Sequence, residues 1–211
     1  MRSILIFIGA FALLSFDSSD KYLDKIALYQ KDNYYKQKVY EEHTWKTFYQ
    51  LKEAQAVIDP EHYDLHLLNA ALYFATNKLR ETKGGKELKY SQQLRDAAVV
   101  HTWQMVERNF FDHYNRLNPS LSSPEKRIKL FGLNSNALAE NVDYTYIPVN
   151  GTISYLQVAD KIVDNFFHSP PHRKNMLGKE FTHIGCAAMF EAKDKQGVRY
   201  LKATQDFSAD Y

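Results

Sequence analysis

The 211-residue sequence predicts an α+β fold in which helices cover a small antiparallel sheet. Apolar residues recur with a helical period through most of the chain after residue 60. Near the C-terminus the pattern changes to two extended segments, "HIGCAAMFEA" and "RYLKATQDF", joined by the turn-forming "KDKQG". Helices first and an antiparallel hairpin last are typical of α+β domains.

The N-terminus predicts an export signal at residues 1–19. One arginine precedes an apolar run from Ile4 to Phe16, which is shorter than the ~20 residues that span a bilayer but suits a secretory h-region. A buried N-terminal helix is the alternative. Residues 20–60 are predicted to form a helical extension that packs on the domain or on a partner, and residues 61–211 to form the domain itself. No longer apolar run follows, so an integral membrane protein is not expected.

Four helices are predicted within the domain. The first begins at an Asp59 cap followed by Pro60 and ends near Gly84, and the second begins at a Ser91 cap. His101 lies on the apolar stripe of this second helix, so a hydrogen-bonded core histidine is favoured over a ligand. A short helix is expected at 123–131 and another over "ISYLQVADKIVDNFF", which ends where proline disfavours helix, at Ser169-Pro170-Pro171. The residues after the prolines are expected to form a loop.

Composition narrows the function classes. The net charge is only +2 and no basic block stands out, so a nucleic acid is not an expected partner. The 15 tyrosines and 13 phenylalanines indicate aromatic packing or an apolar or carbohydrate contact surface. The single cysteine, Cys186, cannot form an internal disulfide and lies in an apolar strand, where a thiol behaves as a small hydrophobe. These features favour a bacterial protein that is secreted, periplasmic or on the cell surface.

Three dispersed residues are the candidates for chemistry. The chain lacks the zinc-protease, nucleophile-elbow, phosphate-loop and paired-cysteine motifs. His113, Glu140 and His172 are expected at element ends or in loops, where functional side chains are often held. Two imidazoles and a carboxylate can bind a divalent cation such as zinc or magnesium, act as a general acid and base, or form a structural network. Their spacing does not decide between these roles.

A series of short motifs resembles one family over residues 65–208. In chain order they are "NKLRETKGGKEL", "LRDAAVVHTWQM", "NFFDH", "LAEN", "SPPHRKNML" and "ATQDF", with Arg127 between the third and fourth. Together they resemble the CAP superfamily (cysteine-rich secretory protein, antigen 5 and pathogenesis-related 1; SCP domain) in its cysteine-poor bacterial form. The resemblance implies an α-β-α sandwich.

The same resemblance implies a central cavity formed by His113, Glu140 and His172. It makes His113 and His172 the metal ligands, if any metal binds, and Glu140 the catalytic candidate. The supporting residues that it implies are Asn141, Ser169, Arg173 and Asn175. The sequence departs from the family pattern where Phe166 and Ser169 replace a tryptophan and a second glutamate, and where Pro171 replaces a glycine.

Three functions are compatible with these residues. The first is a secreted binding module for an envelope, lipid, glycan or protein ligand, which is a role that the family implies. The second is a divalent-metal-dependent hydrolase in which His113 and His172 hold the cation and Glu140 is the base. The third is a purely structural cluster with function elsewhere on the surface. Binding is favoured over hydrolysis because the second glutamate and a nucleophile are missing.

Overall fold

A computed structural model describes residues 34–148, 153–192 and 198–209 of the chain. The predicted signal peptide at 1–19, the first part of the extension and the "KDKQG" turn lie outside these residues. No helix in the described ranges is both long and apolar enough to cross a bilayer.

A four-stranded sheet lies at the centre of the fold. Its strands are β1 (Lys89–Tyr90), β2 (Leu138–Tyr146), β3 (His183–Phe190) and β4 (Tyr200–Ser208), arranged in the order β1-β3-β4-β2. The predicted β3–β4 hairpin is confirmed as antiparallel, β2 adds to β4 antiparallel, and the two-residue β1 pairs parallel with β3. Strand β2 is therefore an edge strand, and its residues alternate between the two faces of the sheet.

One face of the sheet packs on two long helices, α4 (Leu65–Thr82) and α7 (Tyr155–His168). The core between them is built from aliphatic and aromatic side chains that include Leu68, Leu72, Ile162, Phe166, Ala188 and Phe207. Asp64 caps α4 by accepting from two backbone amides, and Ser154 caps α7 in a capping box with Gln157. The predicted cap at Asp59 is wrong because the helix begins at Leu65, with Asp64 as its N-cap.

The opposite face packs on α5 (Gln92–Glu107), which Ser91 caps as predicted. Gly185 on β3 permits this contact, since a Cβ there would lie 1.9 Å from the backbone nitrogen of Arg95. A short helix, α6 (Pro124–Leu130), packs on α5 and confirms the helix predicted at 123–131. Helices thus cover both faces, and the predicted α-β-α sandwich is confirmed.

The described part of the predicted extension is helical only in short pieces, which are a 3-10 helix at Tyr34–Lys36 and the α-helices α1 (Lys38–Glu42), α2 (Trp45–Phe48) and α3 (Lys52–Gln55). Val39, Phe48 and Ala54 from these pieces are buried in the same core as α4 and α7. Phe48 stacks on Phe74 of α4 with ring centroids 4.3 Å apart. Residues 34–58 therefore contribute side chains to the hydrophobic core.

Two local expectations are wrong. The segment after the double proline is a helix, α8 (Pro170–Leu177), and not a loop. Pro170 and Pro171 occupy its first turn, where the backbone N–H groups have no intrahelical partner, so the missing donors cost nothing. Glu140 lies inside β2 rather than in a loop, and its neighbours alternate between sheet faces as a strand requires.

Candidate functional site

Glu140 is the centre of a buried cluster on the edge strand β2. Its Oε1 lies 2.8 Å from Nδ1 of His113, and its Oε2 accepts a hydrogen bond of 2.5 Å from Nη2 of Arg127. Burial alone would raise the pKa of Glu140, but the hydrogen bond to His113, the nearby imidazole of His101, and the charge and hydrogen bond of Arg127 bring it below its ordinary value. The carboxylate is therefore ionised and engaged through both oxygens.

Arg127 holds the cluster together from α6. Its fully buried guanidinium donates to the backbone carbonyls of Leu121 and His113, each at 3.0 Å, as well as to Glu140. One side chain thus fixes the loop that carries His113 against β2. Ser123 and Pro124 position Arg127 because they start α6 at a defined residue, with the Ser123 hydroxyl accepting from the Lys126 amide.

His113 lies at the outer side of the cluster, where its side chain is 40% exposed. The hydrogen bond to Glu140 raises the pKa of His113 above its ordinary value, and partial burial opposes this rise. The charged imidazolium is the form that donates from Nδ1 while leaving Nε2–H toward the outside. His113 is thus the one residue of the cluster with a partly open ring.

His101 is buried against this cluster and confirms the prediction of a hydrogen-bonded core histidine. Its Nε2 lies 3.0 Å from the carbonyl oxygen of Asp112 and 3.8 Å from Oε1 of Glu140. Burial lowers the pKa of His101 to about 4, although the charge of Glu140 opposes the change. A neutral ring can donate from Nε2 to the carbonyl oxygen of Asp112, so His101 helps to hold the 112–113 segment in place.

His172 lies on α8, on the other side of the edge strand from α5. Its ring contacts Phe166 edge-on, with centroids 5.3 Å apart. Burial lowers the pKa of His172, and the charge of His113 adds to this effect. Within the described ranges no hydrogen bond joins the ring of His172 to Glu140, so the structure brings only His113 and Glu140 into direct contact.

The predicted supporting residues position α8 on the sheet. Asn141 Nδ2 donates to the carbonyl oxygen of His172 and to Oε1 of Gln205, both at 3.1 Å. Asn175 Nδ2 donates to Oδ1 of Asn141 at 2.9 Å. Arg173 donates to the carbonyl oxygen of Phe167 at 3.0 Å, and Ser169 is the N-cap residue of α8, although its hydroxyl makes no capping hydrogen bond.

Asp206 is a buried acid that sequence reasoning missed. It lies directly opposite Glu140 on β4, is fully buried, and makes no hydrogen bond of good geometry through either oxygen within the described residues. Burial raises the pKa of Asp206 well above its ordinary value, and the charge of Glu140 raises it further. A neutral acid beside an ionised one is therefore the favoured state. The only sequence signal was an aspartate within the otherwise buried pattern of "ATQDF".

The donor set does not provide a three-ligand metal site. Among the residues that the structure describes, no three His, Cys, Asp or Glu side chains are placed to hold an ion together. Both oxygens of Glu140 are already engaged, one of them by the permanently charged Arg127. Binding by His113 and His172 alone stays a prediction.

A row of four aromatic rings, three exposed and one half-buried, lies on the same face of the sheet as Glu140. We call it the aromatic face, and it consists of Phe111, Tyr144, Tyr146 and Tyr200. The centroid of Tyr144 lies 5.7 Å from that of Phe111 and 5.0 Å from that of Tyr200, which in turn lies 6.1 Å from Tyr146. Phe111, Tyr144 and Tyr146 are 47%, 44% and 48% exposed. Contiguous exposed apolar surface of this kind marks interaction sites.

Comparison with known proteins places this geometry in context. The family model described as "CAP: Cysteine-rich secretory protein family" matches residues 73–207. YkwD of Bacillus subtilis (strain 168) is 31% identical over 110 residues, which cover 52% of this chain and 38% of YkwD. The chain therefore spans well under half of that relative.

Two solved structures share the fold. An extracellular protein containing an SCP domain from Bacillus anthracis str. Ames matches with a TM-score of 0.52 and 23% identity, over 69% of this chain and 41% of its own. An outer surface protein from Borrelia burgdorferi matches with a TM-score of 0.51 and 16% identity, over 74% of this chain and 99% of its own. At these identities the likeness concerns the fold.

Proposed function

Because the chain belongs to the CAP (cysteine-rich secretory protein) family, we propose that it is an extracellular or envelope binding module whose ligand contacts the aromatic face. The descriptions of the two structural relatives as an extracellular protein and an outer surface protein support this location. In this proposal the cluster around Glu140 is a rigid support for the binding surface.

The observation that carries the proposal is the engagement of both Glu140 oxygens. A general base needs a free carboxylate near the reacting proton and a pKa close to the working pH. Glu140 instead has a lowered pKa, is buried, and is hydrogen-bonded to His113 and Arg127. A buried, ionised and fully hydrogen-bonded Glu140 is suited to holding loop 111–113 against β2. This contact places Phe111 beside Tyr144.

The aromatic face suits a ligand that is partly apolar and partly hydrogen-bonding. Tyrosine rings offer flat apolar surface with a wet hydroxyl, and for this reason they are enriched at binding interfaces. The cation of Lys202 lies 5.1 Å from the centroid of Tyr144, and it donates to the carbonyl oxygen of Met105 at 2.8 Å. The rings are thus supported from beneath, so that a glycan, lipid or protein ligand would meet a preformed surface.

A glycan array and a panel of lipid vesicles would test this proposal. We expect the wild-type chain to bind at least one class above background, and the double variant F111A/Y146A to lose that binding. The control V57A/L130A removes two exposed apolar side chains outside the aromatic face and should bind as wild type. Equal loss in both variants would contradict the proposal.

A hydrolase would show itself in a parallel substrate screen. Hydrolytic activity of the wild type that disappears in a folded E140Q variant would favour the alternative function, a metal-dependent hydrolase in which His113 and His172 hold a divalent cation. We expect no such activity because the carboxylate is not free.

A further inference from the structure

A second cleft lies between the C-terminal end of α4 and the segment that follows α8. Its volume is about 650 Å³, which falls within the usual range for small-molecule sites. Lysine and arginine dominate its lining, with Leu177 and Phe181 as the larger apolar surfaces. None of the residues of the Glu140 cluster or of the aromatic face lines it, so this cleft is separate from the proposed binding surface.

The residues that line the cleft are mostly basic among their charged members, although the chain as a whole has nearly equal numbers of basic and acidic residues. Five of the 27 basic residues of the chain line it, but only one of the 25 acidic residues, Glu87. The basic residues are Arg80, Lys83, Lys86, Lys89 and Lys179. Without this lining the chain would carry a formal charge of −2 instead of +2. The net positive charge of the chain thus depends on the residues that line this cleft.

The four lysines of the cleft are accessible to a ligand, and one of them, Lys83, also places its Nζ 4.7 Å from the ring centroid of Phe167. All four are exposed, and none of them forms an ion pair within the described residues. By contrast, three lysines elsewhere, Lys46, Lys78 and Lys202, each lie within 3.2 Å of a carboxylate oxygen. Five basic groups beside the single lining acid Glu87 repel one another, so the free protein gains when an anion enters.

Arg80 holds the two walls of the cleft in place. Its guanidinium is buried and donates to the carbonyl oxygen of Lys86 at 2.7 Å on one wall. On the other wall it donates to the carbonyl oxygens of Met176 and Gly178. Gly84, with φ at 76°, allows the chain to reverse directly after α4. The walls are therefore preformed, which lowers the entropy cost of binding.

We propose that this cleft binds a phosphate-bearing anion, with the phosphate between the lysines of the two walls and an uncharged part against Leu177 and Phe181. A phosphate monoester carries nearly two charges at neutral pH, and lysine binds it as a point charge. The anion can come from a phospholipid headgroup or from a soluble phosphate ester. This site is independent of the aromatic face.

Two probes distinguish these sources in the full chain. One is sn-glycerol 3-phosphate, titrated by calorimetry. The other is vesicles of phosphatidylglycerol and phosphatidylcholine, measured by co-sedimentation. The test variant is K83Q/K179Q, which removes one lysine from each wall. The control is K52Q/K129Q, which removes two exposed lysines outside the cleft and has the same net charge.

We expect the wild-type chain to bind at least one probe in 50 mM NaCl. The affinity of K83Q/K179Q should be about 30-fold lower, because each basic residue near an anionic surface contributes a similar free energy and two are removed. The control should change less than twofold. Vesicle binding that glycerol phosphate does not displace identifies a headgroup, and direct glycerol phosphate binding identifies a soluble ester. All variants carry the same N-terminal segment, so their differences report on the cleft.

The proposal is wrong if neither probe binds, or if the control loses as much affinity as the test variant. The variant F111A/Y146A should still bind the phosphate probe, so a failure of the aromatic-face proposal can be distinguished from a failure of this one.

Discussion

Removal of Arg127 tests whether the Glu140 cluster is structural. Arg127 and Glu140 are both buried and share a hydrogen bond of 2.5 Å, so R127M leaves a buried carboxylate without its permanently charged partner. Breaking a buried pair from one side costs about 3–5 kcal/mol. Two backbone carbonyls also lose their donor, which places the expected loss toward the upper end.

The loss is large relative to the whole stability of a domain, which is usually about 5–15 kcal/mol. Urea denaturation monitored by circular dichroism gives the free energy of unfolding, and thermal scans should show a decrease in Tm of about 6–20 °C. K129M, an exposed lysine on the same helix, should change stability by less than about 0.5 kcal/mol.

The double variant R127M/E140M makes the test specific. When both members of a buried pair become apolar, no unpaired charge remains, and much of the stability returns. We expect at least half of the loss in R127M to be recovered. A loss below about 1 kcal/mol in R127M, or a double variant less stable than either single one, would refute the assignment of Glu140 as a structural anion.

Two further predictions concern the same residues. Because the pKa of His113 is raised in the folded state, its contribution to stability is complete below pH 6.5 and is lost as the pH rises through the folded-state pKa. Because the pKa of Glu140 is lowered in the folded state, its contribution is complete above pH 4.5 and is lost only as the pH falls through its folded-state pKa. The stability difference between wild type and H113Q should therefore be largest between about pH 4.5 and 6.5 and decrease above it, and a difference that increases toward pH 8 would contradict the pairing. Calorimetric titration with zinc should show no micromolar binding, since a third protein ligand is missing among the described residues. Zinc binding by the wild type that disappears in H113A/H172A would contradict this expectation and support a metal site at the two histidines.

The long helices and the hairpin were predictable because each carries a local signal. Ser91 and Ser154 cap their helices, and the apolar period of α7 matches its buried face, whereas α5 is buried around most of its circumference. Strand β2 was missed because its buried side chains include Glu140 and Asn141, which by composition indicate a loop. Helix α8 was missed because a double proline was interpreted as a stop, although proline also starts helices.

The site was predictable only in part. Family motifs pointed to His113 and Glu140, but the roles of their partners depend on tertiary distances. Asp206 gains its significance from strand register alone, which places it opposite Glu140. The basic cleft had no sequence signal because Lys179 is separated by about ninety residues from the other lysines of its lining, which lie between positions 83 and 89.

The hydrogen bond from Asn141 to residue 172 has a consequence for substitutions at that position. Asn141 recognises the main-chain oxygen at position 172 and not the imidazole, and Asn175 completes the same contact from α8. Every amino acid supplies that oxygen. A substitution of His172 can therefore change the side chain that the surface presents while the contact that docks α8 on β2 is kept.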